Sequence, residues 1–164
     1  MPLSEAELPE VYLRPGEFFV ARKPTILRTI LGSCVGVTFW SPRQRFGALS
    51  HSMLPRAPKD LSHSLTHPEC GKYVDSCIRD LARRFDEFGA RRSDIEVKVF
   101  GGADVLMIES CEGRPTIGRL NCNAAIEVLR EEGFGVTASS LGGTCGCKIR
   151  FNTETGEVML SRLS

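Results

Sequence analysis

The chain has 164 residues, 41% hydrophobic and 25% charged, a balance that suits one globular domain over residues 1–164 with 1–16 as a polar arm, and that excludes disorder, collagen and coiled coil. Its 21 Lys and Arg against 20 Asp and Glu leave a net charge of +1, so no general field draws it to nucleic acid or to an anionic membrane. The uncharged stretch 29–42 falls short of the roughly 20 apolar residues of a membrane helix, and the acidic opening lacks the apolar core of a secretory signal. The sequence therefore predicts a cytoplasmic protein without membrane insertion. Its seven cysteines, scattered without a regular framework, are expected to be mostly reduced thiols.

After the arm, residues 17–21 and 25–31 read as strands separated by the Arg22-Lys23-Pro24 break. Residues 35–40 are rich in β-branched and aromatic side chains, Ser41-Pro42-Arg43-Gln44 has turn chemistry, and 46–54 returns as a strand, which predicts a hairpin. Residues 55–68 read as a proline-bounded loop. Over 72–88, Val74, Cys77, Ile78, Leu81, Phe85 and Phe88 recur at helical spacing, with Asp75, Arg79, Asp80, Arg83 and Arg84 on the other face and Gly89 as a left-handed stop. Residues 95–100 alternate apolar with charged side chains, as in a strand with one face in water, and Gly101-Gly102 ends it. A second helix fits 120–132, burying Leu120, Ala124, Ala125, Val128 and Leu129 and stopping at Gly133. Residues 134–139 are extended, and 148–151 and 157–160 flank a polar loop as a second hairpin. Many strands with two good helices predict an α+β layered domain rather than a doubly wound fold.

Cys34 follows Gly32-Ser33 at the head of a strand, where a residue without Cβ lets the backbone approach a substrate. A lone cysteine is commonly a small buried hydrophobe, so chemistry requires a base beside it. With 41–44 as a four-residue loop and proline at its second position, Trp40 faces Arg45 and Phe39 faces Phe46. Counting back then puts Cys34 opposite His51. Directly opposed residues share a face with Cβ atoms about 5 Å apart, close enough for imidazole to approach the thiol.

Leu31-Gly-Ser-Cys-Val-Gly-Val37, followed by His51-Ser-Met-Leu-Pro55, resembles the active-site signature of the CheD chemoreceptor glutamine deamidases. The resemblance continues through Gly71-Lys-Tyr-Val-Asp75, Gly101-Gly102-Ala103, Ile117-Gly118 with Asn121, Gly142-Gly143 and Phe151-Asn-Thr-Glu-Thr-Gly-Glu157, and so spans almost the whole chain. It implies a β-sandwich-like α+β fold related to the toxin deamidases, no cofactor, and a catalytic Cys34, His51 and Thr29. Some members place the threonine one residue earlier, where this chain has Arg28, and a one-residue offset changes the face of a strand. The implied reaction is attack of Cys34 on a glutamine carboxamide, with His51 as base and Thr29 holding the imidazole. A thioester would form and be hydrolysed to glutamate, and the backbone N–H groups of Ser33 and Cys34 are candidates to stabilise the oxyanion. The same attack would cleave a glutamyl methyl ester. The implied substrates are the cytoplasmic helices of methyl-accepting chemotaxis receptors, and the implied partner is a CheC-type phosphatase.

Two other readings compete. His63, His67 and Cys70, joined by Cys145 and Cys147, would make a zinc set, although the spacing matches no strong finger pattern and a solvated loop without metal is the expectation. A chemotaxis adaptor would keep the fold and use Cys34 only for packing. Cys147 stands where relatives often carry arginine, replacing a fixed charge and several donors by a thiol. The basic cluster Arg83, Arg84, Arg91 and Arg92 reads as a solvated helix end, and Gly101-Gly102, without a Walker or dinucleotide pattern, as a tight strand exit.

Overall fold

The alternating segments pair into two mixed sheets in the computed structural model, which describes residues 3–61, 69–105 and 113–164. The strands are β1 (Glu10–Tyr12), β2 (Phe18–Ala21), β3 (Ile26–Leu31), β4 (Val35–Ser41), β5 (Phe46–Ser50), β6 (Glu96–Gly101), β7 (Val136–Leu141), β8 (Cys147–Asn152) and β9 (Val158–Arg162). One sheet has the order β1-β3-β8-β9 and the other β2-β5-β4-β6-β7. Two helices, α1 (Val74–Glu87) and α2 (Ile117–Glu131), cover one face of the five-stranded sheet. The result is an α+β layered fold of helices, five strands and four strands. Among the described residues no helix is long and apolar enough to cross a membrane.

Strand alternation sorts side chains between the layers. Val35, Val37 and Phe39 of β4, Phe46 and Ala48 of β5, and Val97 and Val99 of β6 pack against Ile78, Leu81, Phe85 and Leu129 of the helices. Leu49 of β5 turns the other way, onto Leu27 and Phe151 of the four-stranded sheet. The sheets approach closely enough that a Cβ on Gly47 would lie 2.8 Å from the Phe151 ring and 2.9 Å from the Phe39 carbonyl oxygen, so only glycine fits there.

The structure corrects several expectations. The hairpin loop is four residues long but sits one residue later, so that Ser41 pairs with Phe46, Trp40 with Gly47 and Phe39 with Ala48. Ser41 accepts the Arg45 N–H on its carbonyl at 2.7 Å and the Gln44 N–H on its hydroxyl at 3.3 Å, and Arg45 closes the turn at φ 53°. Pro42 therefore opens the loop instead of occupying its second position. Moving a loop of fixed length by one residue moves the pairing by two, which preserves faces but replaces a directly opposed Cys34 and His51 by a diagonal pair. The ladder ends at Ser50, and an isolated bridge pairs Val35 with Ser52.

Helix α2 starts at Ile117, because the Thr116 hydroxyl caps it by accepting the Arg119 N–H. That start leaves Leu120 exposed and puts Gly118, Asn121 and Cys122 on the buried face. Asp75 and Asp80 of α1, expected in solvent, are buried: Asp80 holds Arg83 and Arg84 at 2.6 and 2.9 Å, and Asp75 accepts the N–H groups of Ala57 and Ser76. Lys98 does not face open water, since β6 is central and its ammonium reaches the Gly156 carbonyl at 3.1 Å. The polar arm contributes β1, which pairs in parallel with β3.

Candidate active site

Residues 32–34 carry the chain from β3 in one sheet to β4 in the other, and this crossing places Cys34 at the edge of the inter-sheet space. Cys34 is half-buried beside a cluster of Leu31, Phe100, Cys147 and Ile149. The crossing is tied down from behind. Gly102 donates its N–H to the Cys34 carbonyl at 2.9 Å, and Ala103 to the Gly32 carbonyl at 2.9 Å. Gly101 and Gly102 have φ of 100° and 65°, conformations that favour glycine, and a Cβ on Gly101 would collide with the Cys34 carbonyl oxygen.

His51 extends the edge of β5 by one residue beyond its last paired strand position. Its N–H donates to the Glu17 carbonyl at 2.9 Å and its carbonyl accepts from Gly16 at 2.7 Å, so the backbone is fixed on the β2 side. By alternation its side chain points, like Leu49, toward the four-stranded sheet, where Thr29 of β3 meets it. Thr29 Oγ1 lies 2.7 Å from His51 Nδ1 and donates to the Leu13 carbonyl at 2.9 Å. Arg28 is on the opposite, exposed face of β3, paired with Glu10, so of these two neighbours it is Thr29 that reaches the imidazole.

The hydrogen bonds favour one tautomer. A hydroxyl has one proton; with that proton on the Leu13 carbonyl, Thr29 Oγ1 must accept, so Nδ1 carries the ring proton. Nε2 is left with its lone pair, as a general base requires. Burial lowers the pKa of His51 to about 4, opposed by the weaker pull of the Glu17 charge and of the Leu13 carbonyl. Burial pushes the Cys34 thiol up, opposed by its own backbone N–H. The resting pair at neutral pH is thus a neutral imidazole and a protonated thiol.

Sequence reasoning did not identify Leu13. Its part is played by a main-chain carbonyl in the arm, a group every residue has, so residue type carried no signal. Of the zinc set, His63 and His67 lie outside the described residues. Burial raises the pKa of Cys70 and Cys147, while Cys145 is exposed. Among the described residues no group of three or more His, Cys, Asp or Glu side chains is arranged to hold a metal ion.

The profile of the family described as "CheD chemotactic sensory transduction" matches residues 53–162. The chain is 42% identical over 164 residues to the "Probable chemoreceptor glutamine deamidase CheD 2" of Geobacter sulfurreducens, covering 100% of this chain and 96% of that one. It is 34% identical over 167 residues to the "Probable chemoreceptor glutamine deamidase CheD" of Maridesulfovibrio salexigens, covering 99% and 97%. A third relative, of the same name, from Pseudomonas fluorescens is 36% identical over 152 residues, covering 91% and 82%. Similarity at this level runs from end to end, through the crossing and the hairpin that the profile match does not reach, and the chain belongs to the CheD family.

Proposed function

We propose that this chain deamidates glutamines of chemoreceptors, with Cys34 as nucleophile, His51 as base and Thr29 as the residue that orients it. The observation that supports the reading is the 2.7 Å contact between Thr29 Oγ1 and His51 Nδ1, which engages one ring nitrogen and leaves Nε2 for proton transfer. The relatives' names supply the substrate class.

Because neither group is charged at rest, the thiol proton moves to His51 Nε2 as the sulfur attacks the carboxamide carbon. The carbonyl oxygen becomes an oxyanion, and the N–H groups of Ser33 and Cys34 are the proposed donors to it. Collapse breaks the C–N bond, and His51 returns its proton to the departing nitrogen, which leaves as ammonia. The γ-glutamyl thioester is then attacked by water, whose proton His51 accepts and returns to the Cys34 sulfur. The products are a glutamate side chain and the free thiol. A glutamyl methyl ester would enter the same thioester by losing methanol, a better leaving group than ammonia.

The test is interception of the thioester. A chemoreceptor cytoplasmic fragment incubated with the protein and hydroxylamine should acquire γ-glutamyl hydroxamates, located by peptide mass spectrometry. Their absence despite steady ammonia release would rule out an acyl-enzyme.

A further inference from the structure

Asn121 of α2 is fully buried, and its one amide nitrogen donates to two carbonyls from distant parts of the chain, Ser33 at 3.0 Å and Met53 at 3.0 Å. Both partners are acceptors, so the group facing them must be the NH2. Asn121 Oδ1 meets no donor among the described residues. An uncompensated buried acceptor destabilises the folded state, so the amide is costly in a position that packing alone would give to an apolar side chain.

We propose that Asn121 is a positioning residue that sets the nucleophile against its base; this rests on the deamidase reading above. Ser33 immediately precedes Cys34, and Met53 follows His51 by two residues, so the two N–H bonds of one side chain join the segments that carry the two reacting groups. The carbonyls of Gly32 and Cys34 are held by the main-chain N–H groups of Ala103 and Gly102. The Ser33 carbonyl between them depends on a side chain. In a trans peptide the C=O and the next N–H point in opposite directions, so holding the Ser33 carbonyl toward α2 also aims the Cys34 N–H away from it. That N–H lowers the pKa of the Cys34 thiol, and it is one of the two proposed oxyanion donors. Asn121 thus acts on both the sulfur and the oxyanion site without touching either.

Asn121→Asp keeps the shape and removes both donors, and Asn121→Ala removes the clamp without adding charge. We expect kcat on a receptor fragment to fall about 10- to 100-fold, the scale of a small misplacement of reacting groups, with KM within about threefold because the residue does not contact substrate. Carboxamidomethylation of Cys34 by iodoacetamide, measured against the exposed Cys145 in the same sample, should slow, since the thiol loses the N–H that lowers its pKa. A merely structural residue would not shift that ratio in folded protein. Variants that melt near the wild type and keep both kcat and the Cys34 to Cys145 labelling ratio would overturn the proposal, as would loss of fold in both. If the wild type leaves receptor glutamines intact, the deamidase reading fails, while the labelling ratio still decides the clamp.

Discussion

Replacing Thr29 by valine removes one hydroxyl and keeps the branched shape and strand propensity. The hydroxyl has two partners, the Leu13 carbonyl at 2.9 Å and His51 Nδ1 at 2.7 Å, so both are left unpaired at a site that is 1% exposed. Each unsatisfied buried group costs about 1–3 kcal/mol. The Leu13 carbonyl already attracts the imidazole proton, and a small ring movement would pair the two remaining groups, so the lower part of the range, about 2 kcal/mol, applies. For a chain of this size that is a fall in Tm of roughly 4–8 °C. The catalytic loss is separate. The ring that shifts toward Leu13 leaves the orientation in which Nε2 meets the thiol, and about 1.4–2.7 kcal/mol of transition-state stabilisation lost in this way is a fall of about 10- to 100-fold in kcat. Ammonia release from a receptor fragment, measured below the melting temperature of each variant, reads the rate. Thr29→Ser should recover most of it. Full activity in the valine variant, or a serine variant as slow as valine, would refute the orienting role.

Three further outcomes follow from the structure. Since His51 must be neutral to accept a proton, kcat/KM should rise with pH through about 4 and stay level through neutrality; an acid limb near the ordinary histidine value would show that burial does not act as described. The same shift bears on stability: as pH falls from about 6.5 toward about 4, the unfolded chain takes up a proton that the folded chain refuses, so stability drops across that window. His51→Phe should flatten that part of a Tm-against-pH curve. Gly47→Ala should lower stability by about 2 kcal/mol or more by chemical denaturation, because its Cβ would overlap the Phe151 ring and the Phe39 carbonyl.

The elements with strong periodicity were legible. α1 lies where its apolar stripe puts it, Gly89 and Gly133 follow the helices with φ of 78° and 82°, and both hairpins form. Proline misplaced the first hairpin by a residue, since it suits the opening position of a longer loop as well as the second position of a tight turn. The slip did no harm to the site because parity, and hence the face of His51, survived it. The short strand β1 carries the burial pattern exposed, half-buried, exposed, which gives periodicity little to register. The buried Asp75 and Asp80 look like surface residues until their partners are placed. The candidate site was legible through resemblance: motifs named Cys34 and His51 directly, and Thr29 followed with a one-residue offset left open toward Arg28; the pairing of β3 with β8 sets Thr29 opposite the buried Ile149 and turns it inward. The Leu13 carbonyl and the Asn121 clamp join segments far apart in sequence, and no local pattern encodes such contacts.

The central claim is that Cys34 converts receptor glutamine to glutamate with His51 as its base. Its most direct test is peptide mass mapping of a chemoreceptor cytoplasmic fragment after incubation with the wild type, Cys34→Ala and His51→Ala. The account predicts site-specific conversion of glutamine to glutamate by the wild type, none with Cys34→Ala, and a loss of most activity with His51→Ala, each variant remaining folded. Conversion by Cys34→Ala at the wild-type rate would contradict it.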